Sequence, residues 1–226
     1  LVQSTDRWDG LPLRLEAFQR RLMGEALAFD EHGVPCWNSV ALVVSRKCWK
    51  TALLAAKALF GLLTADGSPE ILLAASSDKQ AGRLFDACAS FVRRSEALSA
   101  LVRVRDHAGE LRREDGGGVI FRLSSDPGRL YGYNPSEVIL DELHAWTTPS
   151  LRRAHTALTT AGGARSAPRT FTISTAGEAQ ERHTSILGRL LDEALDCGDV
   201  TKEPGLAICR MWDAKTLVWN YEAPTT

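Results

Sequence analysis

No charge of one sign predominates in these 226 residues: 27 Lys and Arg stand against 28 Asp and Glu, a formal net charge of -1. That balance argues against a histone-like or polybasic binder, although a local basic groove fits inside a neutral total. Cysteine is sparse and odd in number. The five, Cys36, Cys48, Cys88, Cys197 and Cys209, are widely spaced without a C-x-x-C pair, and the five histidines are scattered. A disulfide scaffold and a structural zinc site are therefore not expected, and a reducing compartment is. Long hydrophobic runs are missing too. The longest, Ala52 to Leu63, is interrupted by Lys57 and is too short to cross a bilayer, and the N-terminus lacks a basic-then-apolar signal pattern. The chain reads as intracellular and soluble. With 44% hydrophobic and 7% aromatic residues, no internal repeat and no low-complexity tract, it has the balance of a folded protein, long enough for one large domain or two small ones.

Periodicity gives an alternation of elements. Leu13, Leu15, Phe18, Leu22, Ala26 and Phe29 have mostly helical spacing, which predicts an amphipathic helix over Leu11 to Phe29, stopped by Gly33-Val34-Pro35. Val40 to Val44 is a continuous apolar run, as expected of a strand buried on both faces. A loop, Ser45 to Thr51, leads to an alanine-rich helix over Ala52 to Leu63. The pattern then repeats with a strand at Ile71 to Ala75 and a helix over Asp78 to Arg94, which Ser77 and Gln80 open in capping-box spacing. Strands are predicted at Val102 to Arg105, at Glu110 to Arg113 and Val119 to Leu123 as a hairpin across Asp115 to Gly118, at Val138 to Leu140, at Thr170 to Ser174 and at Leu206 to Met211, with a helix near Arg182 to Cys197. Asp126 to Pro135 is turn-rich, and Ala161 to Pro168 reads as a flexible surface loop. Such alternation implies an α/β fold with a mainly parallel sheet and helices on both faces.

A strand running through a loop with Lys-Thr into a helix is the layout of a phosphate cradle, because backbone N–H groups and the helix N-terminus converge there on an anion. Lys50 would reach the β and γ phosphates, and Thr51 would bind Mg²⁺. The pattern departs from G-x-x-x-x-G-K-[ST], with Val44 and Trp49 at the glycine positions. Taken alone, it also describes a solvated helix N-terminus. The strand Val138 to Leu140 ends in Asp141-Glu142, where Asp141 would hold Mg²⁺ and Glu142 would polarise the attacking water as general base. An acidic cap for the next helix has the same composition. Two motifs of one mechanism, in order on one sheet, favour nucleotide hydrolysis. Further on, Ser174-Thr175-Ala176-Gly177 ends a strand in small hydroxyl residues able to hydrogen-bond a γ phosphate or its water and to report hydrolysis elsewhere; a plain turn is the alternative.

Together, Ser45-Arg46-Lys47-Cys48-Trp49-Lys50-Thr51, Val138 to His144 and Ser174 to Gly177 resemble the ATPase domain of the large terminase subunit of tailed bacteriophages, the motor that pumps DNA into the capsid. The Ser-Arg-Lys start is a habit of that family. The match runs from about Leu11 to Gly177 and implies a P-loop NTPase fold of RecA/ASCE-like type, with ATP and Mg²⁺ as cofactors. Phe18-Gln19 falls where the family places its adenine motif, so the resemblance implies that Gln19 reads the adenine edge. It also implies an arginine finger, with Arg129 acting on a neighbouring subunit or Arg46 acting within the chain. Implied partners are double-stranded DNA, the portal protein, the small terminase subunit and further copies of the chain in a ring, a pentamer on the procapsid and a monomer in isolation, in the cytoplasm of an infected bacterium and without a membrane.

On this reading residues 1–226 form one ATPase domain, with an adenine-motif region over 1–35, the P-loop core over 36–178 and a C-terminal part over 179–226. The metal-dependent nuclease domain that complete large terminases carry is expected to be absent, and nuclease activity with it. Trp49 replaces the glycine that the family usually has before the Walker lysine, and a tryptophan is expected to lack glycine's access to positive φ. A non-catalytic assembly or DNA-docking module is the alternative on that account, and a helicase-like translocase is a third. Arg93-Arg94, Arg103, Arg105, Arg112-Arg113 and Arg152-Arg153 are candidate DNA contacts.

Overall fold

Val40 to Val44 has no polar alternation because the strand it forms has no solvent face. In the computed structural model, which describes residues 12–45, 49–65, 67–123, 132–177 and 184–221, β1 (Ser39–Val43) lies inside a ten-stranded sheet. Around it in chain order come α1 (Ala17–Ala26), α2 (Lys50–Thr64), β2 (Glu70–Ala75), α3 (Asp78–Arg93), a short α4 (Glu96–Ser99), β3 (Val102–Arg105), β4 (Glu110–Arg113), β5 (Val119–Arg122), β6 (Glu137–Asp141), α5 (Pro149–Thr160), β7 (Arg169–Ser174), α6 (Ile186–Cys197), β8 (Asp199–Glu203), β9 (Leu206–Met211) and β10 (Thr216–Tyr221). The strand order is β3-β4-β5-β2-β6-β7-β1-β10-β9-β8. The six from β5 to β10 in that order run parallel, and antiparallel strands flank them on both sides. This is the expected P-loop NTPase-like fold, with β7 lying between β1 and β6.

Alternate side chains of the central strands serve two cores. Val40, Leu42, Ile71, Leu73 and Ile139 pack with Leu22, Leu54 and Phe85 from α1, α2 and α3, while Ala41, Val43, Leu72, Val138 and Leu140 pack with Ala154, Leu158 and Leu187 from α5 and α6. Helices therefore cover both faces, and the period of two in the strands is satisfied on each side. The lysine that interrupts the apolar run of α2 is not exposed. Lys57 is 3% exposed and forms an ion pair with Glu137, itself 6% exposed, at the start of β6. Gly61 makes room for this pair, since a Cβ there would lie 2.6 Å from Glu137 Oε2.

Element boundaries moved in places. The N-terminal helix is shorter than Leu11 to Phe29: Gln19 Oε1 accepts the Glu16 N–H at 2.8 Å and fixes the first turn at Ala17, and Phe29 lies beyond the end, in a bridge with Pro35. Lys50 and Thr51, expected in the loop, form the first turn of α2. Ser77 caps α3 as its spacing predicts, and the hairpin of β4 and β5 turns across Asp115 to Gly118. The segment Ala161 to Pro168 is anchored rather than loose: Arg165 Nε donates to Asn134 O at 2.8 Å, and Gly162 is packed against Pro168 and Pro135. α5, β8 and β10 were not expected from the sequence.

Candidate active site

Parallel pairing brings the C-terminal ends of β1, β6 and β7 level: Val43 lies opposite Ser174, and Asp141 opposite Ile173. Loops that leave these ends meet at one edge of the sheet, the usual place for a ligand in an open α/β fold. Two backbone bonds tie the edge together, from Val44 N–H to Ser174 O at 3.0 Å and from Glu142 N–H to Ile173 O at 2.9 Å. The 15-residue α2 starts here with no acidic residue in its first turn, so its positive end is not neutralised from within.

Lys50, the first residue of α2, reaches across to Glu142, with Nζ 2.5 Å from Oε1. The other carboxylate oxygen of Glu142 lies 3.1 Å from His144 Nδ1 and accepts the Thr175 N–H at 3.3 Å. His144 in turn is held by the third motif. Its N–H donates to Ser174 Oγ at 3.0 Å, and its Nδ1 is 3.1 Å from Ser174 Oγ and 3.2 Å from Thr175 Oγ1. Gly177, at φ 74, lies close against this ring, since a Cβ there would come within 3.1 Å of His144 Cβ. Burial raises the Glu142 carboxyl, but the bonds from His144 and Lys50 outweigh it and hold the group at about 2. Asp141 shifts the other way, to about 6, because burial and the neighbouring Glu142 charge disfavour its ionisation more than Lys50 favours it. Asp141 Oδ1 is buried and has no hydrogen-bond partner among the described residues.

Of the residues singled out in the sequence, Lys50, Asp141, Glu142, Ser174, Thr175 and Gly177 therefore converge at this edge. Thr51 occupies the second position of α2, and Ser45 and Ala176 flank the loops. Phe18 and Gln19 stand apart on α1, where Gln19 is buried and Phe18 meets Tyr221. Arg46, Lys47, Cys48 and Arg129 lie outside the described residues. His144 was legible only as part of Asp141-Glu142-Leu143-His144. Its contact with Ser174 and Thr175, 30 and 31 residues on, depends on β6 and β7 being neighbours.

Trp49 overturns one expectation. It adopts φ 58 and ψ 25, the left-handed conformation that a glycine would take, and it leads directly into α2. Backbone strain of about 1–3 kcal/mol is the cost of placing a non-glycine residue there, so the rest of the fold supports the turn. Since the chain already follows the glycine path, Trp49→Gly is expected to leave nucleotide affinity within about threefold. A tenfold gain in a calorimetric titration would show instead that tryptophan compromises the loop.

Of the candidate basic residues, those on α3, β3 and β4 include five that carry counter-ions of their own. Arg103 bonds Glu114 at 3.0 Å, Arg112 bonds Glu110 at 2.8 Å, and Arg93 and Arg113 pair with Asp106 and Asp115. The β3–β4 edge is thus a matched ionic surface rather than a bare cationic one. No helix among the described residues is long and apolar enough to cross a membrane.

A sequence model of the family described as "Terminase large subunit, ATPase domain" matches residues 18–191. The chain belongs to this family. No curated protein matches the sequence. Among solved structures, the HK97 bacteriophage large terminase superposes with a TM-score of 0.76 at 24% identity, covering 96% of this chain and 41% of the other. The ATPase domain of the Thermus phage P74-26 large terminase gives 0.52 at 19% identity over 76% and 74% of the two chains. The large terminase of the thermophilic bacteriophage D6E, in complex with ADP, gives 0.51 at 12% identity over 71% and 39%. At these identities the solved structures show the shared fold, and the chain spans less than half the length of the HK97 terminase.

Proposed function

We propose that this terminase ATPase domain hydrolyses Mg·ATP and that the hydrolysis drives double-stranded DNA into a viral procapsid. The observation that carries the reading is the contact between Lys50 and Glu142 at the C-terminal edge of the sheet, where α2 presents its N-terminus. Phosphate oxygens compete with Glu142 for Lys50, so a nucleotide that binds draws the lysine away and frees the carboxylate. Glu142 then takes the proton of the water that attacks the γ phosphorus, and the β–γ bridging oxygen leaves with ADP. His144 and the Thr175 N–H keep the freed carboxylate aimed, and through Ser174 and Thr175 its position is passed to β7. Gln19 and Phe18 meet the adenine. Arg129 from a neighbouring subunit, or Arg46 from the same chain, supplies the remaining positive charge.

The residues fit a hard cation. Among the described residues no group of three or more His, Cys, Asp or Glu could hold a metal by itself, and Mg²⁺ is commonly held by one or two carboxylates completed by substrate phosphates and water. Asp141, whose buried Oδ1 has no partner among the described residues, and the Thr51 hydroxyl would hold Mg²⁺, which would supply charge neutralisation to the phosphates. The partners that accompany the reading are DNA, the portal protein, the small terminase subunit and a ring of copies, pentameric on the procapsid, in the infected host's cytoplasm. The glycine-like backbone of Trp49 speaks against a degenerate loop and the docking module it would imply. Purified chain is expected to release phosphate from ATP in the presence of Mg²⁺ and to stop when the cation is chelated. DNA binding with no nucleotide binding would support the docking module instead.

A further inference from the structure

We propose that Tyr221, at the end of β10, contacts the nucleobase and forms with Phe18 two walls of the subsite for the purine ring of ATP. This rests on the ATP reading above and adds a residue from the far end of the sequence.

Placement carries the first part of the inference. β10 runs parallel to β1 with Asn220 opposite Val43, so Tyr221 comes level with Val44, one residue before Ser45 and the phosphate loop. β10 thus ends at the same edge of the sheet as β1, β6 and β7, on the side of β1 away from Glu142 and Ser174. Residue 18, by contrast, comes from a helix on one face of the sheet, yet the Phe18 and Tyr221 rings meet with centroids 5.5 Å apart and planes at 72°. Two rings near a right angle form a corner. A flat base lying on the face of one presents its edge to the other, which satisfies both stacked and edge-to-face aromatic preferences. Both rings are half-buried rather than sealed in the core, so a surface remains for a third ring.

The polar neighbours agree with a base rather than a phosphate. Arg21, the α1 cation whose charge acts on Tyr221, is bound bidentately by Glu203 at 2.6 and 2.8 Å and lies over the Trp219 ring, 5.2 Å from its centroid. Its charge is already matched. Gln19, adjacent to Phe18, uses Oε1 to accept the Glu16 N–H, and no bond from its Nε2 is made among the described residues. Its carboxamide therefore offers N–H donors, which suit the ring-nitrogen acceptors of a purine. Aromatic rings with a nearby donor, set beside a phosphate loop, are the components of a base pocket.

The test compares ligands with and without a base. Wild type, Tyr221→Phe and Tyr221→Leu are titrated calorimetrically with Mg·ATP and with inorganic triphosphate. Tyr221→Leu keeps apolar bulk against Phe18 but loses the ring, and its ATP affinity is expected to fall about 5- to 150-fold, the range of base–aromatic stacking. Triphosphate affinity should stay within twofold, and Tyr221→Phe should stay within threefold for both. Unchanged ATP affinity in Tyr221→Leu, or parallel loss of ATP and triphosphate, would overturn the proposal, the second because it marks a change in the fold rather than in a base contact. A second measurement needs no destabilising variant. The chain has three tyrosines, so ring-labelled tyrosine gives a simple NMR spectrum in which Tyr221 is identified by its loss in Tyr221→Phe. The Tyr221 signal is expected to shift with ATP and not with triphosphate. A signal that ATP leaves in place, in a chain that binds ATP, refutes the role of Tyr221 alone, whereas a wild-type chain that binds no ATP refutes the reading beneath it as well.

Discussion

Glu142→Gln is expected to stop ATP turnover while ATP binding persists or tightens. The amide cannot take a proton from water, and general-base catalysis contributes roughly 10²–10⁴-fold in rate. Its effect on binding runs the other way, because Lys50 is held at 2.5 Å by the carboxylate it must leave before it can meet phosphate, and a neutral glutamine holds it less firmly. Lys50→Ala should do the reverse. A charge-assisted hydrogen bond is worth about 1.5–3 kcal/mol, so its removal should weaken ATP by about 10- to 150-fold. Calorimetry on both variants, with phosphate release measured at saturating ATP, separates the two residues. Equal loss of affinity in the pair, or turnover that survives Glu142→Gln, would show that the roles are misassigned.

The largest stability effect is expected far from the phosphates, at the buried pair of Lys57 and Glu137. Burial lowers the ammonium's affinity for its proton, and Glu137 opposes that. Glu137→Leu removes the only carboxylate paired with Lys57 among the described residues and leaves Arg169 facing it as a like charge. Breaking one side of a buried pair costs about 3–5 kcal/mol, which for a chain of this size lowers Tm by about 6–20 °C. The double variant Lys57→Met, Glu137→Leu should recover part of that, because the buried ammonium is gone and its apolar surroundings include Phe171, while Arg169 loses the Glu137 charge but keeps its bond to the Ala26 carbonyl. Thermal melts at fixed pH decide it: a single variant within 1 kcal/mol of wild type, or a double variant worse than either single, would contradict the account.

The same pair shows what a sequence can and cannot disclose. Lys57 was visible as the one charge in an apolar helix, but its partner lies 80 residues away, and no local pattern announces a contact across two elements. The candidate site was legible where chemistry is concentrated in short motifs, as in Lys50-Thr51 and Asp141-Glu142, and it was hidden where it depends on pairing, as with His144. β10 went unseen for a reason that lies in its turn. Trp212 to Lys215 reverses the chain with a bond from Lys215 N–H to Trp212 O at 3.1 Å, and the residue at φ 47 is Lys215 rather than a glycine or asparagine, so the usual hairpin signal is absent. α5 was missed because Thr156, Thr159 and Thr160 crowd its end. Each of these hydroxyls bonds back to a carbonyl one turn earlier, which satisfies them inside the helix.

β7 has a consequence for how the molecule comes apart. It is hydrogen-bonded along its length to β1 on one side and β6 on the other, while β3 and β8 form the two ends of the sheet and carry few fully buried side chains. Amide hydrogens exchange through local openings whose free energy rises toward the best-protected strands. The ends of the sheet therefore fray first and independently, and the three strands that carry the phosphate loop, the acidic pair and the hydroxyl pair exchange last, as one cooperative block.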